Sequence, residues 1–278
     1  MCCAEAVQQI TYEVTDHTAL ITLNRPDARN AYTSQMADEI VVALAAAAGD
    51  GDVRVVVLTG AGADFCVGAD LSGGRLKVVE KQADQPWLEP ASRVTRPLYE
   101  FDKPVIAAVT GAAVGVGSTM ILPADFRIAA QDSRFGFVFS RRGLYPEGGS
   151  TWFLPRLVGL GRASDWMISG RLIPATEALN AGLVTELRPA EDVLDRALEL
   201  AEEIATTTAP VSTAVIRKAL ARMSTLESPD AVFGLDSRLI DSCSDSADTL
   251  EGITSFLERR PPRFPGRVPD DLPDFLPW

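Results

Sequence analysis

Apolar residues along the first half of the chain cluster in short runs that are rich in β-branched side chains. Such runs, bounded by glycine, proline and aspartate, predict strands. The first two are joined by a turn at Asp16-His17-Thr18, and the later ones are apolar enough to be buried on both faces. The predicted strands are Ile10–Val14, Ala19–Leu23, Asp52–Gly60, Pro104–Val109 and Phe126–Ala129.

Apolar residues at helical spacing lie between these strands and dominate the second half of the chain. The predicted helices are Ser34–Ala48, Pro86–Phe101, Gly117–Leu122, Thr151–Val158, Arg162–Ile168, Ala175–Ala181, Ala190–Thr206, Val211–Met223, Ala231–Arg238 and Ser246–Arg259. Strands and helices alternate over the first 140 residues, which indicates an α/β fold. A change of composition at Ala209-Pro210 predicts a core at 1–209 and a C-terminal helical segment at 210–278. The last 18 residues hold six prolines and are not expected to be helical.

Composition narrows the classes of function. The 278 residues are 46% hydrophobic, and no run of 18 apolar residues is present, so a membrane partner is not expected. A formal net charge of −12 argues against nucleic acid, because phosphate binding needs basic patches. The four cysteines lack the spacing of a metal site or a disulfide framework, and no secretory signal is visible. We therefore expect a cytoplasmic protein with no metal and no bound cofactor.

Two runs of small residues follow the predicted strands. Phe65-Cys66-Val67-Gly68-Ala69-Asp70-Leu71 comes after Val53–Thr59, and Gly111-Ala112-Ala113-Val114-Gly115-Val116-Gly117-Ser118-Thr119 comes after Val105–Val109. Small residues let a backbone approach a ligand closely and expose its N–H groups. Two converging corners of this kind could bind one negative charge as it develops on an oxygen atom. This arrangement suits enolate chemistry at a thioester.

The same two runs resemble signatures of the crotonase, or enoyl-CoA hydratase/isomerase, superfamily. The first is similar to F-[SC]-A-G-A-D-L, and the second to the G-x-A-x-G-x-G stretch about fifty residues later. Asn24–Ala31 resembles the N-R-P-x-x-x-N-A element of the family, and Phe256–Phe264 resembles its C-terminal tail. The four matches keep the order and spacing of the family between about residues 10 and 265.

The resemblance implies a fold, a substrate class and an assembly. The fold would be the crotonase (ClpP-like) spiral of β-β-α units, with C-terminal helices that pack into a homotrimer or a dimer of trimers. The substrate would be an acyl-CoA thioester of fatty-acid or related metabolism, with coenzyme A as part of the substrate. Ala69 and Val116 would be the two oxyanion donors. The implied substrate and coenzyme A contacts are Ala28, Arg29, Ala31, Val67, Gly68, Asp70, Leu71 and Gly117.

The catalytic carboxylates of the hydratases are missing from their usual positions. Hydratases of this family carry one glutamate two residues after the last glycine of the second run and another in an F-G-x-P-E segment. Here these positions hold Thr119 and Phe139, and neither side chain can act as a carboxylate base. Glu147, in Gly143-Leu144-Tyr145-Pro146-Glu147-Gly148-Gly149, instead resembles the glutamate of Δ3,Δ2-enoyl-CoA isomerases. An apolar wall that includes Phe137, Phe139 and Trp87 would raise its pKa.

These substitutions favour an isomerase in which Glu147 moves a proton from C2 to C4. The first alternative is a hydratase that uses Glu147 and a water, and the second is a non-catalytic acyl-CoA-binding homologue. Glu147 could also serve only as a charge at the start of the following helix. His17 is expected at the surface in a hairpin turn. Cys66 lacks a neighbouring base and is expected to pack as a small apolar residue.

Overall fold

The computed structural model describes residues 9–74 and 87–278. Its larger sheet has six strands in the order β1-β2-β3-β4-β6-β9, where β1 and β2 are antiparallel and the other pairs are parallel. A smaller three-stranded sheet has the order β5-β7-β8. The strands are β1 Ile10–Thr15, β2 Thr18–Leu23, β3 Val55–Gly60, β4 Val105–Val109, β5 Ala112–Val114, β6 Phe126–Ala130, β7 Arg134–Gly136, β8 Leu172–Pro174 and β9 Glu186–Arg188.

Ten helices lie among the described residues. They are α1 Ser34–Gly49, α2 Ser92–Glu100, α3 Val116–Met120, α4 Ser150–Val158, α5 Leu160–Ser169, α6 Ala175–Ala181, α7 Val193–Thr207, α8 Pro210–Met223, α9 Asp230–Cys243 and α10 Ala247–Glu258. The predicted helices are confirmed in number and order, although several bounds differ: α5 begins two residues before the predicted Arg162, and α9 continues five residues beyond the predicted Arg238. Helix α2 begins at Ser92 rather than Pro86, which lies outside the described residues. The helix predicted from Ala190 begins as a 3-10 turn before α7.

The central strands are buried on both faces, as their apolar sequence predicts. Val55 and Val57 of β3 lie in a cluster with Ala197 and Ala201 of α7. Val56 and Leu58, the alternate residues of the same strand, lie in the main core with α1 and α2. Because successive side chains of a strand point to opposite faces, one strand supplies both layers.

The strands that the sequence did not predict are three residues long. Strands β5 and β7 pair in parallel, and β7 pairs with β8 in the antiparallel sense. Three residues are too few to show a period of two, and β5 lies inside the second run of small residues. Strand β5 directly precedes α3, so its pairing with β7 holds the chain where that helix begins.

Helix α8, the first of the C-terminal helices, is tied to the core by two buried cations. Arg217 of α8 donates to Asp125 at 2.7 Å and to the carbonyl oxygen of Leu98 at 2.9 Å. Lys218 pairs with Asp102 at 3.2 Å. Asp125 also accepts the N–H of Val105 at 2.7 Å, so its carboxylate has a structural role between β4 and α8. The division at residues 209 and 210 stays a prediction. The stretch after α10 contains no helix, as its prolines predict.

Candidate active site

The two runs of small residues lie side by side. Cys66 donates its N–H to the carbonyl oxygen of Ala112 at 2.9 Å, and its own carbonyl accepts the N–H of Val114 at 2.9 Å. A Cβ atom on Gly115 would lie 3.6 Å from the Cα of Gly68. The loop after β3 and the start of α3 therefore form one continuous backbone surface, as the sequence predicts.

Each proposed oxyanion donor follows a glycine in the left-handed region. Gly68 has a φ of +105° and Gly115 a φ of +56°, whereas Ala69 and Val116 have no positive φ. Glycine adopts these angles without the steric cost that a Cβ atom would add. The valine at position 116 is therefore compatible with the corner, because the glycine before it takes the unusual conformation.

The N–H groups of Ala69 and Val116 are left available by the local hydrogen bonding. Tyr32 and Ala69 form a parallel bridge. The backbone N–H of Tyr32 donates to the carbonyl oxygen of Gly68 at 2.8 Å, and the carbonyl oxygen of Tyr32 accepts the N–H of Asp70 at 2.9 Å. This pattern turns the N–H of Ala69 away from Tyr32. Val116 is the first residue of α3, where a helix supplies no acceptor for the N–H. The geometry thus offers two adjacent backbone donors.

The residues assigned to coenzyme A lie next to this surface. Arg29 donates to Asp64 at 2.7 Å while its side chain stays 64% exposed. Its carbonyl oxygen accepts the N–H of Val67 at 3.3 Å. The structure thus places the segment holding Ala28, Arg29 and Ala31 beside the segment from Val67 to Leu71. Gly117 lies below this surface, against the backbone of the first run, because a Cβ atom at this position would collide with the carbonyl group of Cys66.

Asp70 shapes the first run rather than facing a reacting group. Its carboxylate accepts the N–H of Ser72 at 3.0 Å and pairs with Arg25 at 3.0 Å. The hydrogen bonds from Ser72, together with the Arg25 guanidinium, hold the pKa of Asp70 at about 2. The carboxylate of Asp70 therefore holds the loop together, and the contact with coenzyme A implied for this residue stays a prediction.

The loop that carries Glu147 is fixed through its backbone. The carbonyl oxygen of Glu147 accepts two hydrogen bonds from Ser150, one from its N–H at 3.0 Å and one from the Ser150 hydroxyl at 2.7 Å. Gly148 and Gly149 follow with φ of +59° and +69°. Helix α4 begins after Gly149 without a side-chain cap. The carboxylate of Glu147 therefore makes no capping hydrogen bond to α4, and a role only as a charge near the start of that helix stays the alternative.

The carboxyl group of Glu147 is buried and incompletely partnered. Burial raises its pKa from 4.5 to about 8; the Thr119 hydroxyl opposes the rise, and the charge of Glu89 adds to it. The single hydrogen of the Thr119 hydroxyl is directed to the carbonyl oxygen of Gly115 at 3.1 Å, so this hydroxyl does not donate to Glu147 at the same time. No described residue donates a hydrogen bond to Oε1 of Glu147. A buried acceptor without a partner is costly and is a common feature of sites that bind a substrate.

The two positions where hydratases have glutamates are filled by other groups. Thr119 is fully buried, and a Cβ atom on Gly148 would lie 2.5 Å from its methyl carbon. The Glu147 loop therefore occupies the space next to position 119. Phe139 is 5% exposed and lines an apolar groove of about 430 Å³ with Leu144 and Pro146.

The apolar wall predicted around Glu147 stays a prediction, and two of its three aromatic residues lie in different settings. Phe137 packs in the core, where its ring stacks on Trp166 at a centroid distance of 6.5 Å. Trp87 is 40% exposed. The polar and titratable groups that affect the carboxyl group of Glu147, or that it affects, are Thr119, Cys66, Tyr32 and Glu89.

Two other sequence-based assignments are confirmed by the structure. Cys66 is fully buried, and burial raises the pKa of its thiol to about 12, so it is not an activated nucleophile. His17 is exposed in the turn between β1 and β2, where its Nδ1 lies 2.7 Å from the carbonyl oxygen of Asp52.

Glu89 is the functional candidate that sequence reasoning missed. Its carboxylate accepts the N–H of Gly148 at 2.7 Å, next to the candidate base. It lies in a polar stretch without a recognisable motif, so no sequence signal separates it from a solvated surface glutamate. Only the folded chain brings it to Glu147.

The geometry agrees with a comparison against known families. The model of the family described as enoyl-CoA hydratase/isomerase matches residues 13–267. The chain belongs to the enoyl-CoA hydratase/isomerase family. It is therefore a crotonase-fold enzyme of acyl-CoA thioesters, and the non-catalytic alternative is not retained. No described helix of this family member is long and apolar enough to cross a bilayer.

Similar proteins carry both reaction names. Enoyl-CoA hydratase ACTT3 of Alternaria alternata is 38% identical over 250 residues, which cover 90% of this chain and 83% of that protein. The 1,2-epoxyphenylacetyl-CoA isomerase of Escherichia coli is 33% identical, with 89% and 94% covered. The crystal structure of a probable enoyl-CoA hydratase/isomerase from Mycobacterium abscessus has a TM-score of 0.85 and 34% identity, with 92% and 98% covered.

Proposed function

We propose that this enzyme isomerises 3-enoyl-CoA esters to 2-enoyl-CoA esters with Glu147 as its single base. The observation that carries the proposal is the buried carboxyl group of Glu147, whose Oε1 has no hydrogen-bond donor among the described residues. This carboxyl group lies beside Thr119 of α3. Thr119 is three residues after Val116, so the carboxyl group is close to the proposed oxyanion donors.

The reaction needs one proton to leave C2 and one to arrive at C4. Glu147 would take the proton from C2, and the electron pair would move toward the thioester carbonyl to give a dienolate. The N–H groups of Ala69 and Val116 would hold the resulting negative charge on oxygen. The protonated Glu147 would then return the proton to C4, which leaves the double bond between C2 and C3. No water and no second base are consumed.

The raised pKa of Glu147 suits this cycle. A base whose pKa lies near the working pH can both accept and return a proton without a large penalty in either direction. Burial is the main cause of the pKa of about 8, so the same apolar surroundings that tune the base also keep water away from it.

Hydration is the second candidate, because most of the similar proteins are named hydratases. It would require Glu147 to activate a water while another group supplies a proton. Thr119 and Phe139 offer no carboxyl group for that step. Glu89 is a weak candidate, since its carboxylate already accepts hydrogen bonds from Gly148, Ala91 and Ser92.

The two reactions are separated by parallel assays of wild type and Glu147→Gln. Purified enzyme is incubated with 3-enoyl-CoA and, separately, with 2-enoyl-CoA, and the products are resolved by chromatography. The proposal expects isomerisation by the wild type that is lost in Glu147→Gln, with coenzyme A ester binding retained. Hydration that persists in Glu147→Gln would contradict the role of Glu147. The cytoplasmic setting, the place in fatty-acid metabolism and the trimeric or hexameric assembly stay predictions.

A further inference from the structure

Glu89 joins the start of α2 to the loop that carries Glu147. Its Oε1 accepts the N–H groups of Gly148 at 2.7 Å and Ser92 at 2.8 Å, together with the Ser92 hydroxyl. Its Oε2 accepts the N–H of Ala91 at 2.7 Å. Ala91, at the N-cap position of α2, has no capping side chain, so Glu89 supplies the cap and holds Gly148 with the same oxygen.

Packing around Gly148 makes this hydrogen bond a precise constraint. A Cβ atom on Gly148 would lie 2.5 Å from the methyl carbon of Thr119, 3.2 Å from that of Thr95 and 3.3 Å from the Cβ of Ala91. The backbone of the loop is therefore pressed between α2 and α3. A hydrogen bond from a backbone N–H to a carboxylate is stronger than one between neutral groups. The carboxylate of Glu89 thus fixes the position of Gly148, the residue next to Glu147, between the two helices.

The charged and titratable groups around Glu147 come from the helices α1 and α2, from the residues just before α2, and from the segments after β2 and β3. Glu89 precedes α2, and Arg93 within α2 pairs with Asp38 of α1. Tyr32 follows β2 and donates its hydroxyl to the carbonyl oxygen of Pro90 at 2.7 Å. Cys66 follows β3 and is buried as a thiol. Of these groups, Glu89 supplies the charge that acts on the carboxyl group of Glu147.

We propose that Glu89 is the positioning residue of the catalytic base, because its carboxylate locks the Glu147 loop onto the start of α2 and holds the base toward the two backbone donors. This inference rests on the proposed function of Glu147. Glu89 does not itself exchange protons with the substrate. Four donors already occupy its oxygens, and its effect passes to the reaction through Gly148 and through its charge.

The variant Glu89→Gln tests the proposal. Glutamine has the same size, but its NH₂ group must face at least one of the backbone donors, and the negative charge is lost. We expect kcat of isomerisation to fall about ten- to hundredfold while KM changes little, since a small displacement of a catalytic group has effects of this order. The acidic limb of the pH–rate profile should move to lower pH. Glu89→Asp keeps the charge but shortens the side chain, so it should lose kcat and keep the position of the limb.

A matched control is Glu100→Gln, at the other end of α2. Glu100 is exposed and pairs with Arg96 at 2.9 Å, so the same chemical change there should leave kcat and the limb unaltered. Folding of each variant is checked by circular dichroism. If Glu89→Gln does not fold, Glu89→Asp decides the matter, because full kcat in that variant would overturn the positioning role.

A second readout does not depend on turnover. The carboxyl resonance of Glu147 in protein labelled with ¹³Cδ-glutamate, assigned by its loss in Glu147→Gln, should titrate at lower pH in Glu89→Gln than in wild type. An unchanged titration and unchanged kcat in folded Glu89→Gln would overturn the proposal. A shifted titration in an enzyme that does not isomerise 3-enoyl-CoA would instead contradict the proposed function and leave the link between Glu89 and Glu147 standing.

Discussion

Gly117 lies directly against the carbonyl group of Cys66, with no room for a methyl group between them. This contact joins the loop after β3 to the start of α3, and so it sets the distance between the N–H groups of Ala69 and Val116. The two halves of the anion hole therefore depend on a glycine that contributes neither donor.

The first prediction concerns Gly117→Ala. The added methyl group should push the two runs apart and cost about 1–3 kcal/mol of stability, as overpacking of a buried position does. Loss of one effective oxyanion donor should lower kcat about 10²- to 10³-fold. Thermal unfolding and steady-state kinetics measure the two effects. Gly161→Ala is the matched control, because nothing lies within 4 Å of its Cβ position in α5, and it should be neutral or slightly stabilising.

The second prediction concerns the pH dependence of turnover. Glu147 must be deprotonated in the free enzyme to accept the proton from C2, and its pKa is about 8. The value of kcat/KM should therefore rise about tenfold per pH unit below this pKa and level off above it. A profile that is already flat from about pH 5 upward would show that a carboxylate with an ordinary pKa is the base.

The third prediction concerns stability. The pKa of Glu147 is about 8 in the folded enzyme and 4.5 in a model peptide, so between these values the folded state holds a proton that the unfolded state has released. The free energy of unfolding must then fall as pH rises through this window, by up to about 1.4 kcal/mol per pH unit from this group. Glu147→Gln removes the dependence. Denaturant titrations at about pH 5 and about pH 8 should show that the free energy of unfolding of the variant increases relative to that of the wild type as pH rises. An equal change of this free energy in both proteins would refute the burial of this carboxyl group.

The fourth prediction concerns Cys66. Because its thiol is fully buried with a pKa of about 12, it should not react with a thiol reagent until the protein unfolds. A variant with Cys2, Cys3 and Cys243 replaced by serine isolates this thiol for the assay. Cys66→Ala should retain kcat within about threefold, since the side chain only fills space. Rapid labelling in the folded enzyme that abolishes turnover would revive a nucleophilic role.

The long elements were predictable from the sequence because burial leaves a pattern in them, either an apolar run or a helical period. Val55 to Leu58 form a continuous apolar run because both faces of β3 are buried, and α1 and α7 each present one apolar face, so both patterns are visible in the sequence. The strands β5, β7, β8 and β9 were not predicted, since three residues carry no period. Their pairing is decided by tertiary contacts alone.

The parts of the candidate site that need glycine could be predicted from the sequence. The part that depends on a side chain far away in the sequence could not. Gly68 and Gly115 take backbone angles that favour glycine, so they mark the two corners in the sequence. Glu147 stands out for the same reason, since two glycines follow it. Glu89 reaches Gly148 across 59 residues of chain through one carboxylate, and neighbouring residues give no sign of that contact.

The transfer of a single proton by Glu147 is tested most directly with 3-enoyl-CoA that carries deuterium at C2. Turnover in ordinary water is followed by mass spectrometry and ²H NMR of the 2-enoyl-CoA product. A buried base that returns the proton it removed predicts deuterium at C4 in the wild-type product, and no conversion by Glu147→Gln. A product whose C4 hydrogen comes only from solvent, or conversion that survives in Glu147→Gln, would contradict the account.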